Sequence, residues 1–420
     1  MRGRRKDYQN GYRGRTVQAI KRNGCLPDDV FALLDKQTRI QYRRSTNTLT
    51  KEGVLTKGKT LMGTTYYTLN VKSEVLRSIL TEDEIEGYRV EYGDQVRQLR
   101  IGMGDKKLKD KDLRRKCASR QSKLINDANS RYIMSMAGVA GKTTPSLARG
   151  ELTDGTRAYY NSAELKRVYD EINPIALEND DVKNNKVMSS RINGLMVSPG
   201  GILPVYSVGN RLIEWKRFGE MKMFYHIRAV INKQEDIGHK TGWLAGQNGS
   251  RWYPKMADED REMVVLSKLD SNFVKICEHE YGTRDKNGER ATLMNIDYVY
   301  DHMYAIPFNE KGVLMLKIMQ EPGWKTKLIR GVLKNDSLIK AKENTSVDCD
   351  GYDEEKQVYK LVFCVPDLVK LKNFSRRAQL AEDKDKYEVY CFKHQVPVVA
   401  AMLGGSAKTF SIDIEKVSSK

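Results

Sequence analysis

Between residues 13 and 70 the apolar positions recur first at helical and then at strand spacing. Arg13 to Asn23 reads as a short helix stopped by Gly24. Pro27 to Leu34 reads as a second, with Pro at its first turn, Asp28 and Asp29 suited to its dipole, and Val30, Leu33 and Leu34 as its apolar face. A third helix is expected from Thr38 to Glu52, ending at Gly53. It would turn Ile40, Tyr42 and Leu49 to a core and Arg39, Arg43, Arg44, Asn47 and Lys51 to solvent. Val54 to Lys57, a turn at Gly58-Lys59, and Thr60 to Asn70 then read as a hairpin, with Tyr67 and Leu69 alternating with polar neighbours.

The pattern changes after residue 71. Lys72 to Arg89 is helical and acidic, Gly102 to Asp105 interrupts it, and a densely basic segment from Lys106 continues as a helix through Ala137, with Leu113, Cys117, Leu124, Ile125 and Ile133 on its apolar side. From Thr156 onward strands and helices alternate. Ala158 to Tyr160, Ile192 to Ser198, Ile202 to Val208, Asn210 to Trp215, Tyr304 to Phe308, Tyr359 to Val365, Tyr387 to Phe392 and Phe410 to Ile414 read as strands. Helices are expected after Ser162, from Glu220 to Asn232, from Gly312 to Met319, from about Pro366, and from Val396 to Leu403; residues 233–262 look like an exposed excursion. This order predicts a multi-domain α/β protein: a basic arm over 1–12, a helix-and-hairpin module over 13–71, a basic helical connector over 72–150, and an α/β domain with a mixed sheet over 151–420.

Charge sharpens the division. The first 150 residues carry +16 of the formal net charge of +18. A basic end on a near-neutral body suits a polyanion-binding module joined to a separate domain. No run approaches the ~20 apolar residues of a membrane helix, and the six scattered cysteines suit reduced thiols in a cytoplasmic protein.

Three short helices followed by a hairpin resemble a winged helix-turn-helix, with Tyr42-Arg43-Arg44-Ser45-Thr46-Asn47-Thr48-Leu49-Thr50-Lys51-Glu52-Gly53-Val54-Leu55 similar to its recognition helix and first wing strand. The resemblance implies duplex DNA as partner. Arg39, Arg43, Arg44, Asn47 and Lys51 would meet base edges or nearby phosphates, and Lys57 and Lys59 would meet phosphates at the wing. In the body, Ser190-Arg191-Ile192-Asn193-Gly194-Leu195-Met196-Val197, Val205-Tyr206-Ser207-Val208-Gly209-Asn210 with Trp215, Tyr304-Ala305-Ile306-Pro307, and Glu388-Val389-Tyr390-Cys391-Phe392-Lys393-His394-Gln395 resemble proteins of conjugative elements and plasmids in Gram-positive bacteria. More loosely, the architecture is similar to the replication-relaxation family, which joins a winged helix to an α/β domain resembling restriction endonucleases. That likeness implies work in replication, transfer or transcriptional control of a mobile element.

Enzymatic readings are thinner. Glu214-Trp215-Lys216 has the acid-x-Lys spacing of restriction-type nucleases, with Glu220 following, which makes these three the candidates for an Mg²⁺-dependent DNA nuclease. A matching acid is missing from residues 192–208. Gly138-Val139-Ala140-Gly141-Lys142-Thr143 suggests a phosphate loop, but Met136 stands where the motif needs Gly. Cys277 and His279 lack the second half of a zinc site, and Cys391 with His394 lacks an acid partner. The sequence therefore predicts no cofactor and no metal, and a DNA-binding rather than catalytic protein. A second copy or other proteins of the element would be partners of the α/β body. A nuclease and a winged-helix protein-docking factor are the alternatives.

Overall fold

The computed structural model describes residues 11–102, 108, 110–139, 144–153, 155–172, 192–208, 227, 262–278, 282–284, 290–292 and 301–413. The chain forms two compact units, residues 1–136 with 309–313 and residues 137–308 with 314–420.

In the first unit, α1 (Tyr12–Asn23) buries Thr16, Val17 and Ile20 and ends at Gly24. Gly24 has φ +78, and the Tyr92 ring lies 2.5 Å from where a Cβ would stand, so only glycine fits here. A two-residue strand β1 (Leu26–Pro27) follows. The segment expected as a second helix is a 3₁₀ turn, Asp28–Leu33. Val30, Phe31 and Leu33 are all buried there, and the tighter 3₁₀ winding sets Val30 and Leu33 on one side.

Helix α2 (Lys36–Lys51) starts two residues earlier than its apolar spacing suggests, because Asp35 caps it by accepting the Thr38 amide at 3.0 Å. Hydrogen bonds from Thr38 hold the Asp35 carboxyl below the usual carboxylate range. After Gly53, strands β2 (Leu55–Lys59) and β3 (Thr65–Leu69) pair antiparallel with Leu55 opposite Leu69 and Lys59 opposite Thr65. β1 adds to the other side of β3, giving the order β1-β3-β2. The turn expected at Gly58-Lys59 lies further on, at Thr60 to Thr64, where the Thr60 amide donates to the Thr64 carbonyl at 2.9 Å. Gly58 serves a different purpose. The Tyr66 ring passes 2.4 Å from where its Cβ would be.

The short turn α3 (Glu74–Arg77) leads to α4 (Glu82–Leu99), opened by a reciprocal cap between Thr81 and Glu84. Ile85, Tyr88, Tyr92, Val96 and Leu99 line its buried face at helical spacing. Helix α5 (Lys111–Met136) buries Ile125, Ala128, Tyr132 and Ile133, while Leu113, expected on its apolar side, is exposed. The segment read as a connector is thus, through Met136, part of the first unit. Tyr88 donates its hydroxyl to the Gly24 carbonyl at 2.6 Å, Tyr92 to Arg22 at 2.5 Å, and Tyr66 to Leu99 at 2.7 Å. The Gln121 carboxamide accepts the Leu61 amide at 2.7 Å and faces the carbonyls of Gln98, Leu99 and Ile101 at 3.0, 3.1 and 2.9 Å. Lys21 meets Glu84 at 2.5 Å.

The second unit has the mixed α/β character expected. Among the described residues, β4 (Ala158–Asn161), β5 (Gly194–Ser198), β6 (Gly201–Val208), β7 (Glu262–Ser267) and β10 (His302–Pro307) form a sheet in the order β10-β7-β6-β5-β4. β4, β5 and β6 run antiparallel; β6, β7 and β10 run parallel. The small pair β8 (Gly282–Arg284) and β9 (Arg290–Thr292) stands apart from it. The second sheet has the order β11-β12-β13-β14, from Gly351–Asp353, Val358–Val362, Tyr387–Phe392 and Lys408–Ile412. Its last three strands are parallel and are joined by two helices. Among the described residues, the helices of this unit are α6 (Ser162–Ile172), α7 (Asp270–Glu278), α8 (Glu310–Met319, whose first residues group with the first unit), α9 (Trp324–Leu333), α10 (Asp336–Ala341), α11 (Leu368–Leu380) and α12 (Val396–Leu403). One apolar core contains Leu195, Tyr206 and Val265 of the first sheet with Leu361 and Val389 of the second. The strand and helix expected over 210–215 and 220–232 lie outside the described residues, apart from Ile227.

A polar pair fastens α11 to β10. His302 Nδ1 lies 2.5 Å from Asp367, which caps α11 and also accepts the Met303 amide at 3.2 Å. Burial opposes charge on His302, but the Asp367 carboxylate outweighs it and raises the imidazole above its usual range.

Two outcomes are expected of this packing. A His with a raised folded pKa contributes stability that is complete below the unfolded value near 6.5 and fades as pH climbs through the folded value. His302→Gln should remove roughly 1 kcal/mol of stability at pH 5.5 and less at pH 8.5, read by urea unfolding of the full chain through tryptophan fluorescence. An equal loss at both pH values would refute the charged pair. Gln121→Leu leaves the Leu61 amide without its partner and removes one donor from the carbonyls of Gln98, Leu99 and Ile101, at a cost of roughly 1–3 kcal/mol. Amide exchange over residues 60–64 should accelerate in that variant; unchanged exchange would contradict the clamp.

Candidate nucleic-acid interface

Successive turns of α2 carry Lys36, Ile40, Arg43 and Arg44, Asn47 and Lys51, all exposed. The i, i+4, i+7, i+11 spacing gathers them into one stripe. The opposite side buries Ser45, Thr46 and Leu49, and half-buried Tyr42 packs edge-on to Tyr12 with ring centroids 5.1 Å apart. Burial raises the Tyr42 phenol, so it stays neutral. Ile40 therefore does not join the core as its spacing suggested. It is 43% exposed, one turn into the polar stripe.

The cations expected on this helix divide into two sets. Arg39 turns back and donates to the Leu34 carbonyl at 2.8 Å. Arg43 lies 3.5 Å from Asp28 and stacks its guanidinium 5.4 Å from the centre of the Phe31 ring. Both are thus engaged by the segment that precedes the helix. Lys36, Arg44 and Lys51 are exposed and form no ion pair with a described residue. Asn47, with an amide donor and acceptor, stands between Arg44 and Lys51.

The hairpin follows α2 directly. Gly53, at φ +72, lets the chain leave α2 and enter β2 at once, and the Asn70 side chain donates to the Gly53 carbonyl at 2.8 Å. Lys57 and Lys59 are exposed two residues apart on β2, so the pleat projects them to the same side. Beyond them Met62 is 68% exposed at the tip, whose Leu61 amide is held by Gln121. Sequence reasoning missed Lys36, Ile40 and Met62. The helical spacing to Arg44 and Asn47 would have found the first two once the Asp35 cap was recognised.

Such a face offers guanidinium and ammonium donors, one amide and one aliphatic side chain on a convex rod. An α-helix of these dimensions enters the major groove of a duplex.

The other sites weighed from sequence gain little. Glu214, Lys216 and Glu220 lie outside the described residues. Among the described residues, no group of His, Cys, Asp and Glu is arranged to hold a metal ion. Cys391 is buried on β13, and burial pushes its thiol up to about 11, which keeps it protonated rather than nucleophilic. Helix α5 runs to Met136, so a helix and not a strand precedes Gly138-Val139; the rest of that motif, 140–143, is outside the described residues. No helix among the described residues is long and apolar enough to cross a membrane. Compared with family models, with curated proteins and with solved structures, the chain matches none.

Proposed function

We propose that the first unit is a winged helix-turn-helix that binds duplex DNA, with α2 in the major groove and β2–β3 as the wing. The observation that carries this reading is the exposed stripe of α2. Lys36, Arg44 and Lys51 form no ion pair with a described residue there, stand beside Asn47, and run into a hairpin bearing Lys57 and Lys59. The strand order β1-β3-β2 around α1, the 3₁₀ turn and α2 supports it, since that arrangement leaves one helix face and one hairpin outward. So does the charge, +16 in the first 150 residues. Lys57 and Lys59 meet phosphates and set position; Arg44 and Asn47 reach base edges. The α/β unit serves as a platform for a second copy or for other proteins of a mobile element, in replication, transfer or transcriptional control. No observation among the described residues favours the nuclease reading.

Duplex titrations across a salt series test the proposal. Affinity should fall steeply with salt, and Lys57→Ala/Lys59→Ala should reduce the logarithmic slope by roughly 0.9 for each phosphate that is no longer neutralised. Arg44→Ala should cost about 1–3 kcal/mol. Arg43→Ala should cost less, because Asp28 and Phe31 already engage that side chain. Salt-independent binding, or no binding, sinks the DNA reading and favours a protein-docking module instead.

A further inference from the structure

The exposed stripe of α2 is polar except at one position. Ile40 lies between Lys36 and Arg44, 43% exposed. It is not among the buried residues of the helix, which are Ser45, Thr46 and Leu49. A single exposed aliphatic residue is ordinary on a protein surface. Within a face that otherwise carries only hydrogen-bonding groups, it is a statement about what that face meets. Isoleucine also forms helix less readily than the Lys, Arg or Gln that could stand there.

Of the groups that base edges present in the major groove, the one apolar group is the C5-methyl of thymine. We propose that Ile40 packs on a thymine methyl group and is a specificity-determining residue of α2; this rests on the DNA-binding reading above. The β-branched side chain suits the task because its χ1 is held to one main rotamer in a helix, so little freedom is given up on docking. The axial rise adds a register. Arg44 follows Ile40 by about 6 Å and Asn47 by about 10 Å along the helix, and side chains one helical turn apart on a helix lying in the major groove meet successive bases. With Arg matched to guanine and Asn to adenine, the helix reads a thymine, then a guanine, then an adenine within a span of about three base pairs.

The experiment begins by selecting preferred duplexes from a random pool with the full chain. Each thymine of the selected site is then replaced in turn by deoxyuridine, which removes the methyl group and leaves every hydrogen-bonding atom. At one position the wild-type chain should lose about fourfold in affinity, the ratio expected for exposing one buried methyl-sized group. Ile40→Ala should bind the thymine and uracil versions of that site alike, with a cooperative thermal melt showing that the chain is still folded. Asn47→Ala should relax the preference for an adenine about two base pairs from that thymine. A wild-type chain indifferent to every replacement overturns the assignment and leaves DNA binding standing. So does an Ile40→Ala chain that still separates thymine from uracil, or a chain that binds all duplexes equally. Failure to bind any duplex removes the DNA reading itself, and the assignment falls with it.

Discussion

The first unit depends on four buried polar side chains that satisfy helix ends. The last carbonyls of a helix have no partner within it. Tyr88 and Tyr92 reach those at the end of α1, and Tyr66 and Gln121 reach those at the end of α4. Apolar packing alone would let α4 slide along α1, since hydrophobic burial has no direction. Hydrogen bonds in a low-dielectric interior do, and an unmade one is costly. The orientation of everything built on α1, including the outward face of α2, is therefore set by a few oxygen and nitrogen atoms. Gly24 completes the constraint, because any side chain there would occupy the space of the Tyr92 ring.

The elements that could be read from sequence are those whose period is long enough to count. α2, the β2–β3 hairpin, the β5–β6 hairpin and the parallel strands β12 and β13 all declare themselves by alternation or helical recurrence. β1 has two residues and no period at all. β7 reads Met263-Val264-Val265-Leu266, an apolar run buried on both faces that does not alternate. The 3₁₀ turn passes for a helix because Pro27 and two aspartates make a good helix start whatever the winding that follows. Gly58 misleads for a sharper reason. Glycine marks a turn or a close approach, and only the position of Tyr66, eight residues on, tells which.

The candidate interface was half legible for a related reason. Sequence identifies which residues are cationic and which face of a helix they share, but not which are neutralised by neighbours distant along the chain. Asp28 engages Arg43 and the Leu34 carbonyl engages Arg39, so two of the strongest candidates are committed internally. Lys36 gains a place because the helix begins at the Asp35 cap. Ile40 changes side because the buried residues of α2, Ser45, Thr46 and Leu49, all lie further along the helix. The buried side of α5 was legible at Ile125 and Ile133, but the way α4 and α5 are fastened was not: a tyrosine hydroxyl bonded to one particular carbonyl leaves no trace in periodicity.

Under the proposed function, the composition of the two outward surfaces differs in a way that charge alone does not require. The hairpin presents lysines, flexible point charges suited to phosphate. The helix presents arginine, asparagine and isoleucine, groups of fixed shape that match a guanine edge, an adenine edge and a methyl group. A surface selected only for attraction to a polyanion has no use for an amide or an aliphatic side chain at its centre, and each displaces a cation that would raise affinity. Their presence between Lys36 and Lys51 argues that the stripe is built to discriminate, with the lysines of the hairpin fixing the register from which it does so.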